Sequence, residues 1–316
     1  MKRCLFCYKT LEQGDAEYHP QCSKKIFVTT QPPILPYDEN QLEALALEVI
    51  RSQVTIAGVQ PKLSLHLEES VRSSSAPQRF TIVGLWGGYI LKPPTVHYPH
   101  LPEVEDLTMH LAEAAKIRTV PHTLIRMQSG SLAYLTKRLD RTRTGKLQME
   151  DMCQITEKLT EHKYRGSCEQ IAKAIRRYSV NPGLDVINFF EMLLFSFLTG
   201  NADMHLKNFS LINLPERGYC LAPAYDMVTT ALINSADTEE FALTLNGKKK
   251  RLNKEDFQRA FTTLGIDEKV QLNMFMKFSK AVPLWEIWID NSFIPDDMKL
   301  AYKQLINQRC RVLQLR

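Results

Sequence analysis

The segment from Asp185 to Thr199, DVINFFEMLLFSFLT, is almost continuously apolar, with Asn188 and Glu191 as its main polar interruptions, and it runs directly into Gly200. Apolar character all round, rather than along one stripe, predicts a helix buried on most sides. A glycine at its end supplies the left-handed residue that closes such helices. The run is short and interrupted for a bilayer crossing, which takes about 20 residues. It therefore predicts a core helix, and a chain of 316 residues, 44% hydrophobic, is long enough to bury one.

The stretch after that helix is polar. In Gly200 to Leu211, GNADMHLKNFSL, Asp203 is followed five positions later by Asn208. Phosphoryl transfer asks a protein mainly for positioning and charge neutralisation: a carboxylate orients the attacking hydroxyl, and magnesium bridges the phosphates. Magnesium selects hard oxygen ligands, so Asp203 reads as base and Asn208 as metal ligand. His205 and Lys207 between them would steady the loop or a phosphate. The spacing alone arises by chance in many proteins, so its context must support it.

Downstream, Ser210 to Asn213 and Tyr219 to Ala222 read as two short strands joined by a turn around Pro215 to Gly218. A hairpin there returns the chain to Asp226, in APAYDM, eighteen residues beyond Asn208. Asp226 is thus a second metal-ligand candidate, with a turn or N-cap residue as the competing reading. Met227 and Val228 stand where a protein kinase has the Phe and Gly of Asp-Phe-Gly. Upstream, GGYILKPP puts Lys92 at the end of a short apolar strand, and VEDLTMHLAEAAKI reads as a helix from about Glu103 to Ala115. Glu105, or else Glu103, could hold Lys92 by an ion pair. Earlier still, SQVTIAGVQPKLSL offers Gly58 between two strand-like runs, with Thr55 before it and Gln60 and Lys62 after it. A glycine turn with free N–H groups can approach phosphate oxygens. Strand lysine, helix glutamate, catalytic loop and second acid stand in kinase order.

Four separated motifs, AGVQPKLSL, EDMCQ, NADMHLKNFSL and LAPAYDM, resemble in this order the HipA family of bacterial serine/threonine kinases, the toxins of HipA/HipB toxin-antitoxin systems. The resemblance implies an α+β, bilobal protein-kinase-like fold with a β-rich N-lobe and a mainly helical C-lobe, using ATP and Mg to phosphorylate a protein substrate. It makes Lys92 the ATP lysine, Asp203 the base, and Asn208 and Asp226 the metal ligands. It sets His205 and Tyr225 beside the nucleotide, Gln154 near the adenine or ribose, and Arg138 in the hinge segment RLDR. Thr55, with Ser52 nearby, stands where the family carries an autophosphorylated serine. Family substrates include aminoacyl-tRNA synthetases, and nothing in this chain selects one. The short stretch before Thr55 resembles the HipT-like arrangement, which implies an antitoxin or a small HipS-like partner.

Cys4, Cys7, His19 and Cys22 form a C-x2-C and H-x2-C pair with the spacing of a small zinc knuckle. A structural Zn is expected there; reduced, partly buried thiols are the competing reading. The implied division is a Cys/His module at 1–30, an N-lobe at 31–140 and a C-lobe at 141–316. The other cysteines are scattered and no signal peptide is evident, so a cytoplasmic, reduced protein without a membrane anchor is expected. A net charge of +5 is too modest to argue for nucleic acid, and no basic helix or aromatic platform is present. Lys248 to Arg251, KKKR, is the one basic cluster and reads first as a solvated turn. Three rivals remain: a small-molecule phosphotransferase, a silent relative that binds nucleotide or a partner, and a zinc-containing nucleic-acid or antitoxin-binding protein.

Overall fold

The computed structural model describes residues 2–14, 16–42, 44–45, 62–68, 78–83, 87–142, 145–234 and 239–315. Ser52, Thr55, Gly58 and Gln60 lie outside them. The chain divides into two compact units: Met1–Asp106 with Val120–Arg141 and Asn291–Phe293, and Leu107–Thr119 with Thr142–Asp290 and Ile294–Arg316.

The first unit begins with α1 (Pro20–Phe27), started by proline in its first turn and closed by Val28 in the left-handed conformation. Its sheet is formed by β1 (Leu63–Leu67), β2 (Phe80–Ile82), β3 (Tyr89–Lys92), β4 (His122–Arg126) and β5 (Leu132–Lys137) in the order β2-β1-β3-β5-β4. Every pairing is antiparallel, with Leu63 opposite Leu91 and Lys92 opposite Tyr134. The N-terminal chain engages both outer strands. Ile34 bridges Arg79 beside β2, while the Leu5 carbonyl accepts from the Leu124 N–H in β4 at 3.4 Å. Covered edges leave fewer unpaired backbone groups to recruit another chain. Between β3 and β4 runs α2 (Leu101–Ala114), whose first six residues count with this unit and the rest with the second. Lys116 closes it in the left-handed conformation, at φ 61°.

Two-residue strands β6 (Arg141–Thr142) and β7 (Gly145–Lys146) form a small ribbon. The second unit then runs β8 (Met149–Asp151), α3 (Met152–Ile155), α4 (Cys168–Tyr178), α5 (Pro182–Thr199), β9 (Ser210–Leu214), β10 (Gly218–Leu221), α6 (Thr230–Ile233), α7 (Lys254–Thr263), α8 (Glu268–Asn291) and α9 (Asp296–Val312). The expected hairpin is present as β9 and β10, and β8 joins it on the β9 side. α5 is the axis of this unit: Phe189, Phe190, Phe195 and Phe197 are all essentially buried. They meet Phe209, Phe261, Trp285 and Phe257 edge to face or nearly so, at centroid separations of 5.0–5.6 Å, where aromatic pairs gain most.

One expectation is corrected here. Starting at Pro182, α5 has 18 residues and mean hydropathy 1.3, so by length and composition it is sufficient to cross a membrane. The apolar run reads as shorter because the helix begins three residues before it, at Pro182, Gly183 and Leu184. Yet 67% of the helix is buried within the fold, as the packing of a core helix requires. The cluster at Lys248 to Arg251 follows a tight turn at Asn246 and Gly247, both left-handed. Two of its lysines are paired, Lys248 with Asp256 at 2.8 Å and Lys249 with Glu239 at 3.4 Å.

Candidate active site

The loop after α5 is shaped by its first residue. Gly200 adopts φ 67°, and a Cβ there would lie 2.7 Å from Leu305 Cδ2 and 2.9 Å from the Ala231 Cβ. Only glycine fits both the turn and the close approach. The Gly200 carbonyl accepts from the Ala231 N–H at 3.0 Å, and Thr230 Oγ1 accepts from the Ala202 N–H at 2.9 Å. The loop is therefore held at its root through its own backbone, by the Ala231 N–H and the Thr230 hydroxyl. Asn201 Oδ1 accepts from the Asp203 N–H at 3.2 Å, and a short 3₁₀ turn covers Leu206–Asn208.

Within this frame Asp203 is partly exposed, and its Oδ1 accepts from the Tyr164 hydroxyl at 2.7 Å. His205 is buried, its ring edge-to-face with Tyr164 at 5.1 Å. Burial pushes its pKa down to about 4, with Lys163 also lowering it, while the carboxylates of Asp203 and Asp226 pull partly the other way. His205 is thus neutral near pH 7, and both carboxylates lie near enough to act on it. Its Nδ1 is buried and has no hydrogen-bond partner among the described residues. Asn208 is buried, and its amide makes only a weak contact to Met204 Sδ at 3.8 Å. Its carboxamide oxygen keeps its acceptor capacity among the described residues.

The hairpin brings back Tyr225 and Asp226. The Tyr225 hydroxyl donates to the Lys207 carbonyl at 2.9 Å and lies 2.5 Å from Ser210 Oγ, so it ties the loop to β9. Burial raises its pKa above the usual phenol range. Asp226 itself is left-handed, φ 55°, a conformation that non-glycine residues adopt at a cost and that Asp tolerates better than most. The preceding strand is pinned from two sides: the Arg118 carbonyl accepts from the Ala224 N–H at 2.7 Å, and Asp185 Oδ2 accepts from the Leu221 N–H at 2.8 Å.

In the first unit, Lys92 Nζ pairs with Glu105 Oε1 at the end of β3, with side-chain exposures of 5% and 3%. The Lys92 ammonium also lies 5.3 Å from the Tyr134 ring centroid, within cation–π range. Of the two glutamates considered from sequence, Glu105 meets the lysine; Glu103 lies 3.6 Å from His100 Nδ1. Arg138 forks onto Asp140 through Nε and Nη2, both at 3.0 Å, so its guanidinium is engaged within the RLDR segment. Gln154 forms a capping box with Asp151 at the start of α3. Lys62 is exposed just before β1. The ligand atoms of Cys4, Cys7, His19 and Cys22 converge within 4.8 Å of one another.

Two residues that the sequence pattern did not single out belong to the loop's surroundings. Tyr164 reaches Asp203 from 39 positions away, and Asp151 Oδ2 pairs with Lys207 Nζ at 2.6 Å from 56 positions away. Asp151 lay in view inside EDMCQ; nothing about Tyr164 marked it.

Compared with protein families, residues 54–285 match the HipA-like C-terminal domain. The chain belongs to that family. A Sinorhizobium fredii protein named "Putative kinase Y4dM" is 29% identical over 251 residues, which are 75% of this chain and 60% of that protein. A Haemophilus influenzae "Putative kinase" is likewise 29% identical, covering 73% of this chain and 69% of the relative. The chain thus spans about 60% of the length of the Sinorhizobium relative. Among solved structures, the Shewanella oneidensis HipA, HipB and operator DNA complex gives a TM-score of 0.68 at 20% identity, covering 85% of this chain and 71% of its counterpart. The Helicobacter pylori proinflammatory kinase CtkA gives 0.53 at 16% identity, covering 71% of this chain and 87% of its own. The fold of this HipA-like chain is kinase-like, as its motifs implied.

Proposed function

We propose that this HipA-like chain is an ATP- and Mg-dependent serine/threonine protein kinase. The strongest support is the loop after α5, rooted by hydrogen bonds at Gly200 and Ala202, which carries Asp203 and Asn208, while the hairpin returns Asp226 near enough to act, with Asp203, on neutral His205. Asp203 accepts the proton of the attacking hydroxyl and orients it, with Tyr164 steadying the carboxylate. Asn208 and Asp226 offer oxygen donors only, a set that fits magnesium. When bound, Mg neutralises the charge that develops on the phosphates. Lys92, fixed by Glu105, meets ATP phosphate oxygens as a pre-positioned cation. Neutral His205 and Tyr225 line the nucleotide side, and Lys207 is held by Asp151. Thr55, or Ser52, is the expected autophosphorylation site, with Gly58, Gln60 and Lys62 in the phosphate-facing segment.

The acceptor is a protein hydroxyl, and the partner an antitoxin comparable to the HipB of the Shewanella complex or a small HipS-like protein. The test is incubation with labelled ATP and magnesium, wild type beside Asp203→Asn. Label on the chain itself or on lysate proteins, lost in the variant, is expected. Label on a metabolite instead would favour a small-molecule phosphotransferase, and no transfer at all would refute the kinase reading.

A further inference from the structure

The N-terminal cysteines and histidine take no part in phosphoryl transfer, yet they are built as a site. Residues 2–11 fold back on themselves: the Cys4 N–H donates to the Lys9 carbonyl and the Tyr8 N–H to the Cys4 carbonyl, both at 2.9 Å, and the Leu11 N–H to the Lys2 carbonyl at 3.0 Å. Tyr8 is left-handed, φ 59°, which closes the turn carrying Cys4 and Cys7. The other two groups come from a helix start, His19 as the N-cap of α1 and Cys22 in its first turn. One turn and one helix start thus each present two ligands.

The distances fit a particular ion. Zinc holds sulfur at about 2.3 Å and imidazole nitrogen at about 2.0–2.1 Å, so tetrahedral geometry separates the two by about 3.6 Å. Cys7 Sγ lies 3.4 Å and Cys22 Sγ 3.7 Å from His19 Nδ1. On its other side, His19 Nε2 is 3.1 Å from the Thr10 carbonyl, a contact that requires Nε2 to carry the proton. In the neutral ring Nδ1 then offers its lone pair on the side facing the thiols. That is how a ligating histidine is oriented by an outer carbonyl.

We propose that Cys4, Cys7, His19 and Cys22 hold one structural zinc ion, and that the knuckle it closes anchors the start of α2 through Tyr8. Four protein ligands leave no open position, so the ion is structural. Leu5, between the two knuckle cysteines, accepts from Thr123 Oγ1 at 3.1 Å through its carbonyl, which docks the turn on β4. Tyr8, immediately after Cys7, is buried, and its hydroxyl donates to Asp106 Oδ2 at 2.7 Å. The other Asp106 oxygen is 2.7 Å from His122 Nδ1 on β4. Asp106 adjoins Glu105, the partner of Lys92. The zinc-closed turn therefore helps to set where the Lys92 ion pair stands. This second step rests on the kinase reading; the zinc does not.

Elemental analysis of the full chain, purified without chelator, should find about one zinc per chain. Cobalt exchanged into it should give thiolate-to-cobalt charge transfer and the visible bands of tetrahedral coordination, both weakened in Cys22→Ser. A wild-type chain that is folded, free of metal and unable to take up cobalt overturns the site, even if Cys22→Ser fails to fold. Tyr8→Phe should keep its zinc while KM for ATP rises several-fold and kcat changes less. Unaltered KM with zinc retained overturns the anchoring step. An inactive wild type that still carries zinc counts against the kinase reading and leaves the metal site supported.

Discussion

The two sets of groups assigned to phosphoryl transfer are built in opposite ways. In the first unit, Lys92 and Glu105 satisfy each other inside the protein. In the second, Asn208 and His205 keep unused polar capacity, and their positions are set by backbone: Gly200 and Asp226 in left-handed conformations, Tyr225 tying the loop to β9. On the proposed kinase reading, the difference follows from the task of each group. A lysine has rotamer freedom to lose, and a buried partner removes it before the nucleotide arrives. A metal ligand needs its lone pairs, so it cannot be fixed by consuming them. It is fixed through the chain instead.

The largest effect should separate chemistry from stability in the second unit. Asp203→Asn and Asp226→Asn nearly preserve shape and remove the charge. Each is expected to lower phosphoryl transfer by about 10²–10⁴-fold, while urea unfolding shifts by only about 0.5 kcal/mol. A loss of stability matching the loss of activity would mean that these carboxylates hold the fold, and the contrast between the units would fail.

The first unit should behave the other way. Glu105→Leu strands a buried ammonium and is expected to cost about 3–5 kcal/mol in urea unfolding. Adding Lys92→Met should restore most of that stability, because replacing both charges by apolar groups of similar size is often neutral. Both variants should be inactive in transfer. If the single substitution costs under about 1 kcal/mol, the ion pair is not the lock that holds Lys92 in place.

His205 gives a smaller, pH-dependent effect. Its pKa is lowered from an ordinary 6.5 to about 4 in the fold, so between these values the unfolded chain binds more protons than the native one. Stability should therefore fall as pH drops below about 6.5 and stop falling from this source near 4. By pH 5 the loss should be roughly 2 kcal/mol. Urea midpoints of wild type and His205→Gln at pH 7 and pH 5 test this: the variant should lose less on acidification. Parallel losses would show that His205 is not held neutral by burial.

Much of this arrangement was legible in the sequence. The apolar run ending at Gly200 announced α5, because burial on all sides needs apolar residues on all sides. Lys92 was readable at its strand end, and the hairpin returning to Asp226 followed from two short strand patterns around Pro215 to Gly218. Choosing Glu105 over Glu103 was not readable, since helical phase alone does not say which of two residues, two positions apart, meets a strand elsewhere. Tyr164 itself, and the pairing of Asp151 though that residue lay inside EDMCQ, were hidden for a related reason. Their partners lie 39 and 56 positions away, and contacts of that range leave no periodicity behind. The Cys/His spacing showed itself, but the docking of Leu5 on β4 and of Tyr8 on Asp106 depends on tertiary placement alone.

The smallest effect isolates the backbone from the carboxylate at Asp226. At φ 55° a glycine loses nothing by lacking Cβ, whereas alanine bears the full left-handed penalty of about 1–2 kcal/mol. Asparagine falls between them, because its short polar side chain tolerates this region. Urea unfolding should therefore rank Asp226→Gly above Asp226→Asn and Asp226→Ala lowest, by about 1 kcal/mol from first to last. All three should be equally inactive. The dissociation matters more than its size: if Asp226→Gly keeps the fold and loses transfer, the left-handed backbone shapes the site and the carboxylate does its chemistry. Equal stability of the alanine and glycine variants would show instead that the chain there can relax, and that the ligand is not positioned by its backbone.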